Sequence, residues 1–131
     1  MSDYTVVKWS DVPNGGEGWG IPESDFEMRI ARGPLGCKEH GVSFAKFGKG
    51  WKPEFGHTQK AQEEVYVILS GTAEMNIDGT ITEVGAGSAV RIGAGVWRAF
   101  RAKGDEDVTM IITGAPATDD DGVIEMEWWK S

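Results

Sequence analysis

Val65–Leu69 is the most apolar run of the chain, and it is only five residues long, closed by Glu63-Glu64 on one side and Ser70-Gly71 on the other. A run so short, β-branched and aromatic is a strand rather than a helix, and its unbroken apolarity predicts cover on both faces. Alternation places Glu64, Tyr66 and Ile68 on one face and Val65, Val67 and Leu69 on the other. A carboxylate therefore enters the protein beside a phenol. Upstream, the same parity puts His57 and Gln59 on one side of a strand of their own, so that His57, Gln59 and Glu64 converge. Gln62 and Glu63 are then outer-face or turn residues.

The rest of the chain supplies more short strands. Nineteen glycines and five prolines punctuate 131 residues without a repeat, which favours an all-β barrel or sandwich in one domain. Asp78-Gly79 between two alternating runs predicts a two-residue hairpin over 72–84. Pairing outward from it sets Ile77 against Thr80, Met75 against Thr82 and Ala73 against Val84. Glu74 faces Glu83 on the opposite side, which is tolerable only in water, so the Met75 face points inward.

Strands are also expected at Tyr4–Trp9, closed by Ser10-Asp11-Val12-Pro13, and at Phe26–Ala31, Val42–Phe47, Ser88–Ile92, Val96–Arg101 and Val108–Thr113. Arg98 and Phe100 share one face of theirs, and Trp97 and Ala99 share the other. The glycine-rich segment 14–24 reads as a loop that packs by Trp19, or as a lid over a pocket. His40, alone in a polar turn, reads as a surface residue. Thr118–Gly122 lacks the alternating ligands and terminal glutamate of a calcium loop and reads as a solvated turn. Met126, Trp128 and Trp129 are too apolar for a free end and are expected against the barrel or a second subunit.

Two motifs resemble those of the cupin superfamily. His57-x-Gln59-x4-Glu64-x6-Gly71 is similar to the first cupin motif, with Gln59 where a second histidine usually stands. Gly87-x5-Gly93-x-Gly95-x2-Arg98 is similar to the second, with Gly93 in place of the proline and Arg98 in place of the histidine. The resemblance implies a double-stranded β-helix over 1–131, with motif one at 56–71, motif two at 87–102 and an N-terminal strand and loop at 1–25. It also implies a homodimer, and a divalent metal held by three histidines and a glutamate.

The residues constrain that metal. The chain has two histidines, so one subunit cannot supply three, and Arg98 has no lone pair to donate and keeps its positive charge. What remains is His57, Gln59 and Glu64, a set short of nitrogen that would hold manganese, nickel, zinc or iron only weakly, if any metal at all. Arg98 either pairs with Glu64 in place of a metal or offers its planar fork to an anionic ligand.

The bulk numbers narrow the partners. A net charge of −8 and a pI of about 4.7 repel nucleic acid and anionic membrane surfaces. No 18-residue apolar run or signal-peptide layout is present, which fits a cytoplasmic location. The one cysteine, Cys37, reads as structural.

Three functional readings follow. The first is a pocket for a small polar or anionic molecule, lined by His57, Gln59, Glu64, Tyr66, Arg98 and Phe100. In it His57 takes a proton, Arg98 stabilises developing negative charge and Tyr66 or Glu64 returns the proton, as in an isomerase, epimerase or cyclase. The second is a metal-dependent oxygenase or isomerase using His57, Gln59 and Glu64. The third is a binding or sensing module without catalysis.

Overall fold

The computed structural model describes residues 2–117 and 122–130. Among these described residues ten strands are formed: β1 (Phe26–Ile30), β2 (Gly41–Phe47), β3 (Gly56–Gln59), β4 (Glu63–Ser70), β5 (Thr72–Ile77), β6 (Thr80–Gly85), β7 (Ala89–Ile92), β8 (Arg98–Ala102), β9 (Val108–Ala115) and β10 (Gly122–Glu125). A single α-helical turn, α1 (Arg32–Leu35), links β1 to β2. The strands form two antiparallel five-stranded sheets, ordered β1-β2-β9-β4-β7 and β10-β3-β8-β5-β6, in the jelly-roll arrangement of a double-stranded β-helix. No described helix is long and apolar enough to cross a membrane.

Register turns the inner face of the first sheet into four rows of side chains. Phe26, Phe47 and Val108 form the first; Met28, Ala45, Met110 and Ile68 the second; Ile30, Ser43, Ile112 and Tyr66 the third; Gly41, Gly114 and Glu64 the last. The rows run from aromatic to polar, so one end of the barrel is packed shut and the other carries the chemistry. At the closed end Phe26, Phe47 and Trp51 meet at centroid distances of 5.1–6.0 Å. Phe26, Ile68 and Met110 are fully buried there, each worth roughly 1.5–3 kcal/mol. Opposite, Phe100 pairs with Met75 and Ala102 with Ala73, all buried.

The β5–β6 hairpin has the expected register throughout, with Asp78 and Gly79 both at positive φ. Met75 and Ala73 face inward with no exposure, and Glu83 turns outward to an ion pair with Lys103. Gly71, which ends motif one, is required by shape as well as by its φ of 75°. A Cβ there would lie 2.2 Å from the Asp107 carbonyl oxygen.

The structure corrects four expectations. Tyr4–Trp9 is not a strand: the edge beside β1 is taken by the chain at 12–14, through an Asn14–Arg29 bridge and a 2.7 Å hydrogen bond from Arg29 to the Val12 carbonyl. Trp9 starts a 3₁₀ turn and tilts onto Phe44 instead. The second face of β4 is not fully covered within this chain, since Leu69 is 50% exposed. Gln62 is buried rather than outward, because glycine at 114 leaves room for its side chain over the backbone and its amide donates to the Pro116 carbonyl at 3.2 Å. The hairpin face of Glu74 and Glu83, expected in water, is not wet throughout: Asn76 on it is buried because the chain end crosses there, Trp128 Nε1 donating to its carbonyl oxygen.

The chain end does pack on the barrel. Trp128 stacks on Trp97 at 5.2 Å and presses onto Gly56, and Trp129 lies 4.1 Å beneath the Arg101 guanidinium; Met126 stays exposed. Residues 14–24 hold a short 3₁₀ helix, Gly15–Trp19, whose Trp19 ring stacks on Phe26 while remaining 65% exposed. His40 is exposed. Thr118–Asp121, most of the acidic run, lies outside the described residues.

Candidate functional site

β3 and β8 pair His57 with Arg98, and Ile124 of β10 flanks His57 on its other side. This row faces the last row of the opposite sheet, where Glu64 stands between Gly114 and Ile92. Parity on four strands therefore brings a histidine, an arginine and a carboxylate together at the open end of the barrel.

Their geometry is specific. Arg98 is completely buried, and all three of its nitrogens donate: Nε to the Tyr66 hydroxyl at 3.1 Å, one terminal nitrogen to the Val96 carbonyl at 2.8 Å, the other to Glu64 Oε1 at 3.1 Å. The Tyr66 hydroxyl in turn donates to Glu64 Oε1. His57 Nε2 lies 3.6 Å from the same oxygen, an ion-pair distance rather than a hydrogen bond. Three groups thus converge on Oε1, and among the described residues Oε2 accepts nothing.

This arrangement fixes the charges. Burial pushes the Glu64 carboxyl up, but contacts from His57 and Tyr66 and the charge of Arg98 outweigh it and hold its pKa below the ordinary value. For Tyr66, burial and the neighbouring Glu64 charge push the hydroxyl well above its ordinary value, and Arg98 offsets them only in part. Near neutral pH the cluster is a carboxylate, a guanidinium and an un-ionised phenol. Two opposite charges cancel beside the imidazole.

A chamber of about 310 Å³ opens in front of the cluster. His57, Gln59, Glu64, Tyr66 and Phe100 all line it, as parity along their strands requires. Arg98 does not: it sits behind Glu64 and Tyr66, and of its two sequence-level readings the pairing with Glu64 is the one formed. Trp19, from the segment read as a packing loop or a lid, lines the far wall; the sequence reading missed the rest of it, where Phe26, Phe47, Phe55, Ile112 and Ile124 contribute. Strand register brings Phe26, Phe47, Ile112 and Ile124 to one place, and Trp19 and Phe55 join them from the segments between strands. A second chamber of about 730 Å³ adjoins the first, sharing Ile30, Ser43, Glu64 and Ile112 with it.

The residues present do not suit a metal. Among the described residues no group of three or more His, Cys, Asp or Glu side chains could hold one. Glu64 Oε1 is already taken by a guanidinium and a hydroxyl, and the buried Arg98 charge 3.1 Å away would oppose a cation. His57, Gln59 and Glu64 therefore lack both the nitrogen donors and the electrostatics of a tight site.

The cupin domain model matches residues 44–114, more than half of the chain. This chain belongs to the cupin family. Solved cupin structures share the fold across nearly its whole length. A cupin protein from Bacteroides fragilis superposes with a TM-score of 0.70 at 24% identity, covering 97% of this chain and 95% of that one. A variant of Streptomyces Pac13 with uridine gives 0.69 at 12% identity, covering 97% and 93%; Pac13 is described as a unique nucleoside dehydratase. KdgF from Halomonas gives 0.57 at 15% identity, covering 91% and 90%. No curated protein matches the sequence. This cupin departs from its family's motifs at Gln59 and Arg98, the two positions that remove the usual metal histidines.

Proposed function

We propose that the inner chamber of this cupin binds a small, flat, polar organic molecule and that His57 moves a proton on it without a metal. The observation that carries the reading is the convergence of Arg98, Tyr66 and His57 on Glu64 Oε1 at the wall of an aromatic chamber. A carboxylate held ionised against an imidazole Nε2 favours the tautomer protonated there, and it stabilises the imidazolium formed when the other nitrogen takes a proton.

Elimination assigns the proton. Glu64 resists protonation and Tyr66 resists deprotonation, so neither trades a proton easily near neutral pH, which leaves His57 as the group of the cluster to move it. His57 would both remove a proton from a carbon beside a carbonyl and return it. The electron pair passes to the carbonyl oxygen as an enolate, and the imidazolium is its counter-charge. Arg98 then acts through Glu64 as a positioning residue, and Gln59 and Phe100 contact the ligand. Isomerase, epimerase and cyclase reactions that pass through an enolate use this step, as does elimination of water from the carbon beyond it; the nucleoside dehydratase among the similar structures supports the last.

The test is a ligand screen by NMR on wild type and His57→Gln, starting from uridine, uracil and small keto acids. The expected result is binding retained in His57→Gln within roughly tenfold and turnover lowered by about 10²-fold or more. Turnover unchanged in His57→Gln would end the assignment. The half-exposed outer face of β4, with Leu69 at its end, supports a homodimer, which sedimentation would reveal as twice the 14.2 kDa chain mass.

A further inference from the structure

In the last inner row of the first sheet two of the three positions are glycine. Gly41 of β2 and Gly114 of β9 are paired directly, and Glu64 of β4 pairs with Gly114. The missing side chains leave the floor of the outer chamber open beside Glu64. Gln62 folds over Gly114, where a Cβ would lie 2.5 Å from its Cδ, and so occupies the space above that glycine. Over Gly41 the space stays open: a Cβ there would meet only ordinary contacts, at 3.7 Å to the Gly114 carbonyl oxygen, 3.8 Å to Gln62 Nε2 and 4.0 Å to Ala117 Cβ.

The two chambers differ in chemistry. The inner one is walled by aromatic rings and His57, and the outer one by Gly33, Gly36, Gly41 and Gly114 with Arg32, Ser43 and Gln62. Glu64 lines both, and its Oε2 accepts no hydrogen bond among the described residues. A carboxylate oxygen at such a junction suits a ligand hydroxyl, which donates to it without bringing a second negative charge.

We infer that the ligand is bipartite: a planar ring enters the inner chamber, and a hydroxylated, sugar-like extension passes Glu64 into the outer chamber that Gly41 leaves open. This rests on the ligand-binding reading of the inner chamber given above. Gly41 is then a specificity-determining position, since any larger residue there fills the space the extension needs. Ser43 lines both chambers, and its hydroxyl can both donate and accept, as a polyol's partner must.

The test compares free rings with their sugar-bearing counterparts (uracil with uridine, adenine with adenosine, phenol with phenyl glucoside) on wild type, Gly41→Leu and Ala117→Leu. Ala117 lines only the outer chamber of the two, so its variant is a second way to fill it. Thermal unfolding checks that each variant folds. The expected result is a pair whose extended member binds wild type roughly tenfold tighter, with that gain lost in both variants and ring affinity changed less than about twofold. Equal affinity for ring and extended member, or equal losses for both in the variants, overturns the bipartite ligand and leaves the inner-chamber reading standing. Failure of every ring and extended member to bind wild type overturns that reading, and this inference with it.

Discussion

Replacing Arg98 by methionine tests whether the guanidinium is the positive partner on which the site is built. Arg98 has no solvent exposure, and its removal strips one charged hydrogen bond from Glu64 Oε1, one from the Tyr66 hydroxyl and one from the Val96 carbonyl. The methionine fills much of the volume, so the loss is chiefly that of an uncompensated buried carboxylate. Breaking a buried pair in this way costs about 3–5 kcal/mol. At roughly 3–5 °C per kcal/mol for a chain of this size, the midpoint of thermal unfolding should fall by roughly 10–25 °C.

The sign with pH follows from Glu64. Its folded pKa lies below the ordinary 4.5, so its contribution is present above pH 4.5 and is lost as pH falls through the folded value. The gap between wild type and Arg98→Met should therefore be widest near neutrality and narrow as the pH is lowered below 4.5. Adding Glu64→Gln to Arg98→Met removes the stranded charge and should recover at least about 1 kcal/mol relative to the single variant. Urea unfolding of wild type, Arg98→Met, Glu64→Gln and the double variant between pH 3 and pH 8 reads all of this. A loss below about 1 kcal/mol, independent of pH, would refute the reasoning, because the pair would then be no more than a surface contact.

Two further substitutions probe the frame around the site. Gly56→Ala would place a Cβ 2.6 Å from Trp128 Cγ, so it should cost about 1–3 kcal/mol in urea unfolding and shift tryptophan emission as the Trp97–Trp128 stack opens. An unchanged spectrum would mean that the chain end is not seated there. Asn14→Ala removes the acceptor of 3.0 Å hydrogen bonds from the Gly16 and Met28 amides. Roughly 1–3 kcal/mol should be lost and Trp19 should become more accessible to acrylamide; less than about 0.5 kcal/mol would show that the loop is held otherwise.

How far the sequence carried the fold depended on the distance between the residues involved. The β5–β6 register was legible because Asp78-Gly79 sets it locally, and Glu74 facing Glu83 decided which side is wet. Parity put His57 with Gln59 and Glu64 with Tyr66 on shared faces, and the motif resemblance turned the face of Arg98 and Phe100 inward beside them. Alternation in Tyr4–Trp9, by contrast, says which face a strand would bury but not whether an edge is free to receive it, and residues 12–14 had taken that edge. Gln62 looked like a turn residue because the room for it is made by Gly114, fifty-two positions later. The outer chamber was invisible for the same reason: Gly41 and Gly114 are neighbours only through the β2–β9 register. The choice between a ligand-facing and a paired Arg98 needed depth behind Tyr66, which no pattern in one strand reports.

The buried Arg98 stands where the second cupin motif usually carries a histidine, and on the function proposed above binding and proton transfer proceed without a metal. The most direct measurement is calorimetric titration of untagged, chelator-treated protein with the tightest-binding member of the ligand panel, alone and with one equivalent of manganese, nickel, zinc or iron. The predicted result is the same affinity, within about twofold, in every case. Binding that appears only when one of these metals is restored, and is lost again in Glu64→Ala, would contradict it.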